Sequence, residues 1–141
     1  MKKTASAHWQ GDLKQGKGTI STESGALKDN PYGFNTRFED APGTNPEELI
    51  GAAHAGCFSM AFSMLLGEEK FIPDSIDTKA TVTLEKQSDG FAVTAVHLEM
   101  SARIPKIDQA KFKEIADKAK AGCPISKLLN AKITLEATLL N

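Results

Sequence analysis

Cysteine is scarce in this 141-residue chain: Cys57 and Cys123 are the only two. In a reducing compartment a permanent disulfide between them is not expected, whereas a transient catalytic one is allowed. Together with His8, His54 and His97 they show none of the spacings of a zinc site, so no metal is expected. Charge of one sign is missing too. Seventeen Lys and Arg oppose eighteen Asp and Glu, for a net charge of −1, and the basic residues are scattered. That excludes an electrostatic grip on nucleic acid or on an anionic membrane. The start, MKKTASAHWQGD, is basic but has no apolar run behind it, unlike a secretory signal. Internal repeats, low-complexity tracts, linkers, phosphate-binding glycine loops and Gly-x-Ser-x-Gly elbows are all absent. A single domain over residues 1–141, cytoplasmic and without a cofactor, is the expectation.

What the chain does have is one long apolar run, Leu49 to Leu66. Its length is borderline for a membrane span. It is rich in Ala, Gly and Ser, contains His54, and is bracketed by Glu47, Glu48, Glu68 and Glu69, which fits a buried helix of a soluble protein. Asn45 is a good N-cap, Pro46 suits the first helical position, and Glu48 completes a capping-box-like pattern. The run is apolar nearly all round, broken by His54, Ser59 and Ser63, and such a helix must be surrounded by protein. A chain of this size has little cover to offer, so a second chain is the simplest supply. Gly51, Ala52, Ala55 and Gly56 would let another backbone come close.

The remaining elements follow from period and punctuation. KGTIST and YGFNTRF read as short strands joined by a turn at KDNPYG, with Phe34, Thr36 and Phe38 on one strand face. SIDTKATVTLEK and FAVTAVHLEMSARI read as a hairpin around SDG. Val96, Leu98, Met100, Ala102 and Ile104 form its buried face. A helix from Asp108 to Ala121 carries Phe112, Ile115, Ala116 and Ala119 as its apolar stripe. A short helix then begins at CPISKLL, with Cys123 as N-cap and Pro124 first. AKITLEATLL closes as a strand. Strands, helix, hairpin, helices and strand make an α+β order.

The chemical candidates are therefore the two thiols. Cys123, at a helix N-terminus, stands where amides and the macrodipole favour a thiolate. It reads equally as a small capping residue. Cys57, mid-helix, gets no such help, and apolar surroundings raise a thiol pKa. As a nucleophile it needs a cation. His54 lies on its helix face and reads either as that cation or as a core histidine. Ile50, Met60 and Met64 read as substrate-pocket walls or as ordinary core packing.

Over nearly its whole length the sequence resembles the OsmC branch of the OsmC/Ohr family, the osmotically induced and organic-hydroperoxide-resistance proteins. The resemblance is carried by AHWQGD, GKGTISTESG, YGFNTRFE, GTNPEELIGAAHAGCFSMAFSMLLGE, SIDTKATVTLEK and KAKAGCPISKLL. It implies an intertwined homodimer of antiparallel sheets wrapped around a central buried helix. It also implies a thiol peroxidase that reduces organic hydroperoxides, and hydrogen peroxide less well, with an external dithiol as reductant. Cys57 would be peroxidatic and Cys123 resolving, with Arg37 and Glu47 completing the site. Ten residues of continuous helix separate Glu47 from Cys57 by roughly 15 Å of rise. Either the helix begins late, or the arginine and glutamate reach the thiol from elsewhere, a second chain being the natural source. Two rival readings are a Cys–His hydrolase or acyl-transfer enzyme using Cys57 and His54, and a non-catalytic binder of small apolar molecules.

Overall fold

A computed structural model describes residues 1–141 as an α+β chain in two compact units, Met1–Leu49 and Ile50–Asn141. The N-terminal unit is a three-stranded antiparallel sheet of β1 (Ala5–Gln10), β2 (Lys17–Thr22) and β3 (Asn30–Tyr32), followed by α1 (Phe34–Phe38). Trp9, Gly18 and Tyr32 share one register across the three strands. The Trp9 and Tyr32 rings lie 5.5 Å apart, and a Cβ on Gly18 would come within 2.3 Å of the Tyr32 ring and 2.7 Å of the Trp9 ring. Only glycine leaves that space to the two rings.

Two sequence expectations change here. YGFNTRF, read as a strand, is helical from Phe34, and the strand falls instead on Asn30–Tyr32, inside the stretch read as a turn. The apolar pair Phe34 and Phe38 satisfies both periods, because residues i and i+4 share a face in a helix as well as in a strand. Local bonds decide for the helix. The Gly33 N–H donates to Thr36 Oγ1, which donates back to the Gly33 carbonyl, and Arg37 N–H closes the first turn on Gly33 O. The two phenyl rings then meet at 4.9 Å. β1 was not among the expected elements.

The long helix α2 (Pro46–Glu68) starts where its signals place it, not late. Asn45 Oδ1 accepts from the Glu48 N–H at 2.8 Å, as expected of an N-cap. The Glu48 carboxylate differs from the expected box: it accepts from the Thr44 hydroxyl at 2.9 Å.

In the C-terminal unit β4 (Ser75–Gln87) and β5 (Gly90–Arg103) form the expected hairpin, with a register shift at Thr83/Leu84. α3 (Gln109–Gly122), capped by Asp108, and α4 (Pro124–Leu128) lead to β6 (Lys132–Leu139). Antiparallel pairing holds for β4–β5, but β6 joins β5 in parallel, Val96 opposite Ile133 and Leu98 opposite Leu135. A helical crossover between two neighbouring strands returns the chain in the same direction, and α3–α4 is that crossover. Val96, Leu98, Met100 and Ala102 of β5 form one buried cluster with Phe58, Phe62 and Leu66 of α2 and Phe112, Ile115, Ala116 and Ala119 of α3. Phe62 is its hub, 6.1 Å from the Phe58 ring and 5.8 Å, edge-on, from Phe112.

α2 buries only a stripe of this chain, His54, Phe58, Phe62 and Leu66 at four-residue steps, together with Gly51. Ala52, Ala53, Gly56, Met60, Ser63 and Met64 are exposed, Met60 by 77% and Met64 by 61%. The all-round cover expected of so apolar a helix is not supplied by its own chain. Truncating Phe62 to alanine should cost about 3–5 kcal/mol in a denaturant titration. Ile72→Ala, at a site 80% exposed, should move the midpoint by less than about 0.5 kcal/mol.

Candidate active site

Cys57 sits near the middle of α2 and Cys123 at the joint between α3 and α4. The Cys123 backbone belongs to both helices: its N–H donates to Ala119 O at 2.9 Å, and its carbonyl accepts from Lys127 N–H at 3.1 Å. Pro124 follows at the first helical position, where its missing N–H costs nothing. Cys123 was expected as an N-cap and is one by position, but its side chain makes no cap hydrogen bond. The thiol turns the other way and donates to Cys57 Sγ at 2.9 Å. Cys123 is fully buried, whereas Cys57 keeps partial access to solvent. Burial pushes the Cys57 thiol above its ordinary value, the Cys123 hydrogen bond pushes it further, and the Ile125 backbone N–H pulls it back only in part. The C-terminal unit thus holds two reduced sulfurs in contact, with the accessible one protonated at neutral pH unless a cation is supplied.

In the N-terminal unit Arg37 and Glu47 form the expected pair. Arg37 Nε donates to Glu47 Oε1 and Oε2 at 3.0 and 3.1 Å, and Nη2 donates to Oε1 at 2.6 Å. A planar fork held this way has one orientation and a permanent charge. α1 aims the arginine, and the first turn of α2 carries the glutamate. Glu48, engaged with Thr44, leaves Glu47 to the arginine. Arg37 also lies 5.4 Å from the centre of the Phe38 ring and forms part of the wall of an apolar cavity of about 180 Å³. Trp9, Leu13, Tyr32, Phe34 and Phe38 supply most of the rest of that wall. The four residues singled out from the sequence are therefore two pairs, one in each compact unit.

His54 is fully buried, and its Nε2 lies 2.7 Å from the Ser126 hydroxyl on α4. Its Nδ1 has no hydrogen-bond partner. Of its two readings the core histidine prevails: the side chain bonds Ser126 rather than Cys57. Ser126 escaped sequence reasoning, although its place three residues after Cys123 mirrors that of His54 three before Cys57. His97, Glu99 and Glu136 also meet only in the fold, their ligand atoms within 4.8 Å of one another on the outer side of β5 and β6. His97 Nδ1 is engaged by Thr134 at 2.6 Å, and Glu99 pairs with Lys79 at 3.8 Å, so this group reads as a surface charge network.

Burial depresses the His54 pKa below its ordinary 6.5, which sets a sign for stability. Below that value the unfolded chain binds a proton that the folded chain refuses. The stability contributed by neutral His54 is complete above pH about 6.5 and falls as pH drops below it. Thermal midpoints measured between pH about 7.5 and 5 should fall, and His54→Leu should flatten that part of the profile.

The sequence matches the family described as "OsmC-like protein" over residues 38–138, a span that takes in Glu47, Cys57 and Cys123 and begins one residue after Arg37. It is 60% identical over 137 residues to peroxiredoxin OsmC of Escherichia coli (strain K12), covering 97% of this chain and 96% of that one. To the organic hydroperoxide resistance protein OhrB of Bacillus subtilis (strain 168) it is 30% identical over 123 residues, 86% of this chain and 88% of the relative. Among solved structures, an OsmC-like protein of unknown function from Vibrio cholerae superposes with a TM-score of 0.78 at 18% identity, covering 97% and 99% of the two chains. The crystal structure of B. subtilis OhrB superposes with a TM-score of 0.71 at 27% identity, covering 96% and 98%. This chain, with its two thiols in contact between α2 and the α3–α4 joint, belongs to the OsmC-like family.

Proposed function

We propose that this protein is a thiol-dependent peroxidase that reduces organic hydroperoxides, and hydrogen peroxide more weakly, with Cys57 as the attacking thiol and Cys123 as its resolving partner. The observation that carries this reading is the 2.9 Å contact between a partly accessible sulfur and a buried one. Two thiols already touching can exchange bonds with little rearrangement, which is what a reversible redox pair requires. The family, and relatives named peroxiredoxin and organic hydroperoxide resistance protein, support the same chemistry.

The Cys57 thiolate attacks the distal oxygen of the hydroperoxide. The O–O bond breaks, the alkoxide takes a proton and leaves as alcohol, and the sulfur, oxidised by two electrons, becomes a sulfenic acid. Cys123 attacks that sulfur, the S–O bond breaks, water leaves and a disulfide forms. An external dithiol reduces it by exchange, returning both thiols and leaving with the disulfide. Arg37 is assigned the counter-charge. A thiol that burial holds protonated needs a cation, and a guanidinium locked by Glu47 is permanently charged and keeps donor capacity for peroxide oxygens. The apolar cavity beside Arg37 suits a hydrocarbon body, which favours organic over hydrogen peroxide.

The protein is proposed to work as a homodimer in the cytoplasm. The exposed apolar face of α2 needs cover, and Gly56 with Ala52 and Ala53 allows close approach of a second copy. α2 is long and apolar enough to cross a membrane, but Glu47 and Glu48 in its first turn and the buried His54 suit a protein core better. Because α2 is unbroken from Pro46, a rise of about 15 Å over ten residues keeps Glu47 off the turn that carries Cys57, so the Arg37–Glu47 pair of a second copy is the proposed source of charge for each thiol.

With cumene hydroperoxide and excess dithiol, Cys57→Ser should abolish turnover, and Cys123→Ser should allow one event and then stall. Sustained hydrolytic turnover in Cys123→Ser would favour a Cys–His hydrolase instead, and an inert wild type a binding protein. One equivalent of hydroperoxide should remove about two mass units from the intact chain and link the Cys57 and Cys123 peptides. Arg37→Ala should move the pH profile of Cys57 alkylation upward, lowering its rate at pH 7 by about tenfold or more. Glu47→Gln should act in the same direction, more weakly.

A further inference from the structure

His54 and Ser126 form a buried polar pair to which the peroxidase chemistry assigns no task. A pair with one nitrogen left unbonded is a costly way to hold two helices together, since apolar side chains of similar size do so without desolvating polar atoms. Its position points to a purpose. His54 and Cys57 are three residues apart on α2, and Cys123 and Ser126 three apart at the start of α4, so each couple shares a helix face. The contacts Cys57–Cys123 and His54–Ser126 are therefore adjacent rungs between the same two segments, which run in opposite directions there. Cys123 is tied by its N–H to the end of α3, but α4 is five residues long, too short to be rigid alone, and its Leu128 is exposed. Apart from its tie at Cys123 it is seated by the partial packing of Ile125 and Leu129, neither of them a polar tie to α2. The second rung supplies that tie.

We propose that His54 and Ser126 are positioning residues for the resolving step: their hydrogen bond pins α4 to α2, so that the Cys123 thiol stays within reach of the oxidised Cys57 sulfur. The proposal rests on the dithiol peroxidase reading. In the step it serves, the Cys123 sulfur attacks the Cys57 sulfenic acid, the S–S bond forms, the S–O bond breaks and water departs. His54 and Ser126 exchange no atom or electron in it. What they set is the lifetime of the sulfenic acid, for which a second hydroperoxide competes by oxidising it to sulfinic acid.

The test uses the full chain as wild type, Ser126→Ala, Ser126→Thr and His54→Leu. Each reduced protein receives one equivalent of cumene hydroperoxide, is quenched at intervals with dimedone, which caps sulfenic acid, and is weighed intact. All should consume peroxide in the first step at the same rate. Ser126→Ala and His54→Leu should then form the disulfide about tenfold more slowly, with a dimedone adduct on Cys57 and, under excess peroxide, a sulfinic acid there. Ser126→Thr keeps the hydroxyl and should recover wild-type resolution. Neither the thermal midpoint of His54→Leu nor that of Ser126→Ala at pH 7.5 should fall in step with its resolution rate, which a merely structural role would require. Disulfide formation at the wild-type rate in Ser126→Ala, or slowing that only tracks lost stability, overturns the positioning role alone. A wild type that neither consumes hydroperoxide nor forms the disulfide overturns the peroxidase reading and this one with it.

Discussion

Two sulfurs in contact, one of them sealed from water, are the constraint on which the proposed chemistry depends. The contact needs α2 seated by Phe58, Phe62 and Leu66 on the same core that seats α3 through Phe112 and Ile115, because Cys57 rides on the first and Cys123 on the end of the second. It also carries a penalty. The apolar setting that holds the sulfurs together raises the pKa of Cys57, and its neighbouring thiol raises it further. If Cys57 attacks as proposed, its positive counter-charge has to come from outside its own helix. The clamped Arg37–Glu47 pair is the best-prepared cation the chain offers, since its geometry is set before any substrate arrives.

The long helix poses a second problem with the same answer. One stripe of α2 is fully buried by its own chain, its flanks are half-buried, and another face is bare, methionines included. For an element whose composition alone passes for a membrane span, that is an unstable arrangement in water unless something covers it. The proposed second copy would cover the helix and deliver the arginine together, so that assembly and activation of the thiol become one event. The His54–Ser126 bond, proposed to position the resolving thiol, ties the short helix α4 to the same long helix.

Legibility in the sequence varied with how local the cause was. The Asn45 cap, the α3 stripe, the β4–β5 hairpin and its alternating buried face all follow from neighbours within a few residues, and all stand as read. YGFNTRF was misread because Phe34 and Phe38 fit two periods at once, and the choice fell to Thr36, whose hydroxyl bridges the Gly33 backbone. The Glu48 carboxylate went to the Thr44 hydroxyl, a competitor one residue outside the capping-box pattern. Parallel pairing of β6 depends on where two helices set the chain down, which no strand pattern records.

By itself the sequence determined the inventory: two cysteines and no metal spacing, one over-apolar helix short of cover, an arginine and a glutamate in recognisable surroundings, and an α+β order of elements. Those are matters of composition and of periods shorter than a helical turn or two. Only the tertiary structure decided that Cys57 touches Cys123, that Arg37 and Glu47 meet as a clamped fork, that His54 serves Ser126, and that α2 keeps a bare face. Each of these joins or spares side chains according to how whole helices come to rest on the core. The energy that settles it is summed over that core rather than encoded in the few residues concerned.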